Sequence, residues 1–137
     1  EHMLRGGSNQ LNRPKRLQRA AELGVVLICA HCGCHMMLHE RNGVEEWMEL
    51  VRRYPNVYGD ASAFCGCVRH HWLRRILKDP ELCVRLVFGT DYPAFPSVFR
   101  RTSANVFEEW VRFFRGIGCG ESFFRRGAEL IKIGGGV

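Results

Sequence analysis

The stretch Arg85-Leu86-Val87-Phe88-Gly89-Thr90-Asp91-Tyr92-Pro93 (RLVFGTDYP) decides the fold. Leu86, Val87, Phe88 and Gly89 are apolar or small, the pattern of a short strand buried in a parallel sheet. Thr90 and Asp91 follow at once, and Pro93, with no N–H to donate, stops the ladder. A strand is therefore predicted over Leu86–Thr90, ending on a carboxylate. In parallel α/β folds, ligands and catalytic groups gather at the carboxyl ends of strands. Asp91 is thus a candidate functional residue; the competing reading is an Asp that caps the next turn.

Two runs upstream share this design. Val25–Ala30 (VVLICA) is continuously apolar and reads as a strand buried on both faces. It runs into His31-Cys32-Gly33, so a second polar side chain stands at a strand's carboxyl end. Val57–Ala61 (VYGDA) is a weaker strand, and the loop Ser62–Val68 at its exit carries Cys65-Gly66-Cys67. Asp60, at that strand's end, either supports a neighbouring functional group or forms a turn. Ser62 lies at the same exit.

Helices are predicted between the strands. Pro14–Leu23 has Asn12 as a possible cap, Pro14 near its first turn and Gly24 at its end. Val44–Arg53 places Val44, Trp47, Met48 and Val51 on one face, and Tyr54-Pro55-Asn56 breaks it. Arg69–Lys78 aligns Trp72, Leu73, Ile76 and Leu77. Asp79-Pro80-Glu81-Leu82 is a turn opened by a capping Asp and a Pro at its first position. Val106–Phe114 and Glu121–Ile133 follow, separated by Gly116, Gly118 and Gly120. Alternation of buried strands and helices implies right-handed crossovers and a parallel sheet. The fold class is α/β, with three parallel strands and flanking helices.

The chain has 137 residues, 46% hydrophobic and 25% charged, which suits one domain with one core. No apolar run approaches the ~20 residues of a membrane span, and no signal peptide opens the sequence. The seven cysteines are therefore read as reduced thiols in a cytoplasmic protein. The net charge of +6 is spread over helix faces rather than gathered in a stripe with aromatics, so no nucleic-acid partner is expected.

In this order, the stretches resemble the C-terminal part of the metal-dependent amidohydrolase superfamily, in the branch that also holds decarboxylases of the aminocarboxymuconate semialdehyde and hydroxybenzoate types. Four segments carry the resemblance: the helix from Asn12-Arg13-Pro14 to Leu23, then VVLICAHCG, YPNVYGDASAF and RLVFGTDYP. Their order and spacing match the sixth, seventh and eighth strands of a (β/α)8 TIM barrel. The resemblance implies a small-molecule substrate and a divalent metal, usually zinc, in the barrel mouth. It implies hydrolysis by an activated water, or the related non-oxidative decarboxylation. In that family the Asp after the eighth strand binds or faces the metal and shuttles a proton; Asp91 matches it. The His after the sixth strand contacts substrate or a second metal; His31 matches it. Tyr92, beside Asp91 at the presumed mouth, is a substrate-contact candidate.

Departures from the family pattern shape the expectation. The first-strand His-x-His pair is absent, since no two of His2, His31, His35, His39, His70 and His71 are two apart. The fourth- and fifth-strand ligands would lie upstream of residue 1, and such a barrel takes ~250 residues. The expectation is the C-terminal half of a barrel over residues 1–133, with a Gly-rich tail at 134–137. Alone it would be inactive, and it would form a homo-oligomer or pair with a missing N-terminal half. The rival reading is a non-catalytic zinc module built from Cys29, Cys32, Cys34, His35, Cys65, Cys67, His70 and His71. Their spacings, C-x2-C-x-C-H and C-x-C-x2-H-H, match no zinc-finger pattern.

Overall fold

The computed structural model describes residues 12–35, 42–62, 64, 69–91 and 106–131. Within them the chain is mixed α/β. Strands β1 (Leu27–Cys29), β2 (Val57–Asp60) and β3 (Leu86–Val87) form one parallel sheet in the order β1-β2-β3. Leu27 lies opposite Val57, Cys29 opposite Gly59, and Gly59 opposite Leu86. Among the described residues there are six α-helices: α1 (Gln18–Glu22), α2 (Val44–Arg53), α3 (His70–Leu77), α4 (Pro80–Cys83), α5 (Val106–Gly116) and α6 (Glu121–Ile131).

The pattern of α2 sets the first helix–sheet contact. Val44, Trp47, Met48, Leu50 and Val51 are buried along one stripe, and Tyr54 leaves the helix in extended backbone before Pro55. Trp47 lies on β2, its indole N–H donating to Tyr58 O at 3.1 Å. Gly59 makes that approach possible: a Cβ there would stand 2.5 Å from Cys32 Sγ and 2.8 Å from the Trp47 ring. The turn into β3 follows the sequence expectation. Asp79 caps α4 by accepting from the Glu81 and Leu82 N–H groups, with Pro80 at the first helical position.

Several predicted bounds shift, each for a physical reason. VVLICA is not buried on both faces: the strand is Leu27–Cys29, and Val25, Val26 and Ile28 are 49%, 51% and 38% exposed. β1 pairs only with β2 among the described strands, and the register puts Ile28 beside Tyr58, on the face away from α2. β3 ends at Val87 rather than Thr90. Phe88 leaves the ladder and meets the rings of Phe107, Phe114 and Phe123 edge-on, centroids 5.5, 5.8 and 6.0 Å away. The first helix is a 3-10 turn over Pro14–Leu17 followed by α1, with no side-chain cap, and Gly24 (φ +79°) closes it. α5 runs on through Gly116.

The two edges of the sheet differ. In a parallel ladder alternate residues aim their backbone groups at opposite neighbours. Gly59 N–H and Ala61 N–H donate to Arg85 O and Val87 O, so Leu86 O faces outward. There the Arg126 guanidinium from α6 donates to Leu86 O and to Cys83 O, a charged side chain closing an edge. Toward β2, Leu27 N–H donates to Asn56 O, which leaves Ile28 turned to the opposite side of β1.

Candidate functional site

Four polar side chains meet at the carboxyl ends of the strands. His31 follows β1, Asp60 ends β2, Ser62 lies just past it, and Asp91 follows β3. Leaving β1, the chain turns tightly: His31 (φ 51°) and Cys32 (φ 51°) are both left-handed. Asp91 is left-handed as well, with φ 57°. Non-glycine residues rarely hold this conformation, and when they do they concentrate at functional sites. Cys32 anchors the turn. Its side chain is fully buried beneath Trp47 and Gly59, and its thiol donates to Asp60 O at 3.4 Å.

His31 is the hub, buried to 9% exposure. Its Nδ1 lies 2.7 Å from Ser62 Oγ and 3.6 Å from Asp60 Oδ1. Its Nε2 faces Asp91 Oδ2 at 3.6 Å. The Ser62 hydroxyl makes a short hydrogen bond to Asp60 Oδ1, and the Ser62 N–H donates to the same oxygen at 2.9 Å. Gly89 stands behind this pair, where a Cβ would come 3.3 Å from Ser62 Cβ and 3.6 Å from Asp60 Oδ1. Burial works to raise the Asp60 pKa. The interactions with His31 and Ser62 outweigh it and hold the carboxyl below its ordinary value.

The two nitrogens of His31 look in different directions, so Asp60 and Asp91 do not converge on one point. No group of three or more His, Cys, Asp or Glu among the described residues is placed to hold a metal ion. Burial pushes the Cys29 thiol up to about 12, with Asp60 adding to it, and pushes Cys32 and Cys34 up as well. Cys65, Cys67, His39 and Tyr92 lie outside the described residues.

The sequence marked His31 and Asp91 and left Asp60 between two roles. The structure gives Asp60 both: it forms a turn by accepting from Ser62 N–H, and it faces His31. Ser62 was placed at this edge by its position alone. Its bridging role had a faint signal in the spacing D-x-S, which lets a strand-end carboxylate meet a hydroxyl two residues on.

The chain matches no family model, no curated protein and no solved structure. No helix among the described residues is long and apolar enough to cross a membrane.

Proposed function

We propose that this chain forms the C-terminal half of a (β/α)8-barrel enzyme of the metal-dependent amidohydrolase type. The enzyme acts on a small-molecule substrate, by hydrolysis or by the related non-oxidative decarboxylation. His31 and Asp91 are two ligands of a divalent ion, zinc by the chemistry of one imidazole and one carboxylate. The observation that carries the reading is the 3.6 Å between His31 Nε2 and Asp91 Oδ2 at the exits of parallel strands. Two ligands ~2.1 Å from a tetrahedral ion stand about 3.4 Å apart, so the pair fits two corners of such a site.

The fit stops at two corners. Asp60 is engaged on the far nitrogen, and a third donor is not found among the described residues. On this reading the remaining ligands come from strands outside this sequence. A divalent ion held by His31 and Asp91 would supply Lewis-acid activation of a water for attack at neutral pH. Asp91, with a side chain 29% exposed, would keep its second carboxylate oxygen as the proton acceptor. The outward-facing edge of β1 is where the preceding barrel strand would pair. At β3, the Arg126 side chain occupies the place of the closing strand and would have to swing aside.

The test is calorimetric titration of the chelator-stripped chain with Zn2+, alongside Asp91→Asn and His31→Ala. Weak binding that disappears in either variant supports the reading. Identical heats in all three proteins would remove these residues from any metal site.

A further inference from the structure

We propose that α6 is a releasable strap over the β3 edge, hinged at residues 116–120 and latched by Arg126, which holds the place a closing strand would take. The identity of that strand rests on the reading above. The strap itself rests on packing and hydrogen bonds, and involves neither His31 nor Asp91.

The latch stands in for a strand. Leu86 O points away from β2, so a further strand pairing parallel with β3 would donate a backbone N–H to it. The Arg126 guanidinium makes that hydrogen bond instead. The same nitrogen donates to Cys83 O at 3.4 Å, at the end of α4. A guanidinium and a strand cannot fill the same side of Leu86, so a strand pairs there only after Arg126 leaves.

The rest of α6 is lightly held. Phe123 is its one buried residue, whereas α2 buries Val44, Trp47, Met48, Leu50 and Val51. Phe123 and Phe124 meet the Phe88 ring, with centroids 6.0 and 5.2 Å away, and Gly127 lies on Val87. An element with so few buried contacts opens at a lower free energy than the whole chain.

The connector Gly116-Ile117-Gly118-Cys119-Gly120 has the composition of a pivot. Gly118 (φ +94°) needs glycine for its backbone. Gly116 and Gly120 do not: neither has a positive φ, and a Cβ at either would meet nothing within 4 Å. The seated conformation gives no reason for glycine at these two positions. What glycine supplies there is freedom to rotate, at the end of one helix and the start of the next.

The test is native-state hydrogen exchange of the full chain, read by NMR across a series of low urea concentrations. The backbone N–H groups of residues 125–131 should exchange together, at least about tenfold faster than those of the buried stripe of α2. Their exchange should quicken as urea rises, the mark of a unit that opens whole and exposes surface. Arg126→Ala should speed them and leave α2 unchanged. The double substitution Gly116→Ala, Gly120→Ala fits the seated form and should slow them. A common rate for α6 and α2 overturns the proposal, because α6 would then open only with the whole chain. A gradient fading inward from Ile131 without urea dependence also overturns it, since that is fraying of a helix end. An unchanged rate overturns the latch in Arg126→Ala, and the hinge in the double variant. The parent chain's urea series decides even if a variant fails to fold. No metal enters these measurements, so loss of the zinc reading and loss of the strap are told apart.

Discussion

The His31 imidazole and the Asp91 carboxylate face each other at 3.6 Å, although the strands that carry them are not neighbours. β2 runs between them, and strands about 4.8 Å apart put the outer two roughly 10 Å from each other. Both side chains must therefore reach inward over the exit of β2. Both do so from left-handed backbone, with φ 51° and 57°. Such a conformation costs a non-glycine residue about 1–3 kcal/mol.

Asp91→Gly should release that strain. Glycine adopts positive φ freely but gives the unfolded chain more freedom, an opposing effect of roughly 0.4–1 kcal/mol. The expected outcome is a stability equal to the parent chain or up to about 1 kcal/mol higher in urea unfolding, with zinc binding lost. A loss of more than about 1 kcal/mol would mean that Asp91 holds the fold rather than a ligand.

Asp60 should make the chain acid-sensitive. Its folded pKa lies below its ordinary value, because the interactions with His31 and Ser62 outweigh the burial that opposes them. A carboxyl depressed in the folded state contributes stability above its unfolded pKa of about 3.9. That contribution disappears as the pH falls through the lower folded value. The stability gap between the parent and Asp60→Asn should therefore hold above about pH 5 and shrink as the pH falls from there toward pH 3 in urea melts. A gap that does not change with pH would show that Asp60 is not held ionised by the fold.

Gly59→Ala should be among the most damaging single methyl additions. The new Cβ would fall 2.5 Å from Cys32 Sγ and 2.8 Å from Trp47. Both neighbours are fully buried, and Trp47 is tied to Tyr58 O. Overpacking of this kind typically costs about 1–3 kcal/mol. Pushing Cys32 should also disturb the His31 turn. The check is thermal unfolding of Gly59→Ala together with the His31 ring signals; unchanged stability and unchanged signals would mean that the α2–β2 contact yields easily.

The legible parts of the fold were those written in local pattern. The stripe of α2 runs Val44–Arg53 in sequence and structure alike, and the Asp79-Pro80 start of α4 is a capping signal with one reading. The three parallel strands and the polar residues at their exits were legible because buried runs stop abruptly at His31, Asp60 and Asp91. Strand length was not, since it depends on what packs nearby: Phe88 looks like strand until the rings of α5 and α6 draw it away. The burial of β1 was misjudged because apolarity does not tell a central strand from an edge. Nor could sequence reveal the left-handed pair His31-Cys32, which tertiary contacts to Trp47 and Gly59 hold in place.

The exposed side of β1 should drive self-association. Val25 and Val26 are about half exposed, and Ile28 is exposed on a strand with one described partner. An uncharged apolar edge is a template for another strand, whereas Arg126 blunts the opposite edge. Sedimentation velocity across a range of concentrations should show reversible association, and Ile28→Lys should shift the chain toward monomer with little change in stability. A parent chain that stays monomeric at high concentration would rule the edge out as a contact surface.

The last prediction concerns turnover. On the proposed reading, His31 and Asp91 supply two donors, and catalytic zinc sites use three protein ligands plus a water. A third is not present among the described residues, and Asp60 is committed to Ser62 and the far side of His31. Two ligands leave the ion weakly held and easily exchanged. Residues 1–137 supplied with zinc should therefore bind it loosely and show no hydrolysis of simple amides or lactones above the zinc-only background. The measurements are bound metal after gel filtration, oligomer size and hydrolysis rate on the same sample. A monomer that retains one zinc per chain and turns over substrate would mean that this chain carries a whole site, with its remaining ligands among residues outside those described. In that case Asp91→Asn should abolish turnover while leaving the unfolding transition in place, because it removes a proton acceptor and a ligand but no packing.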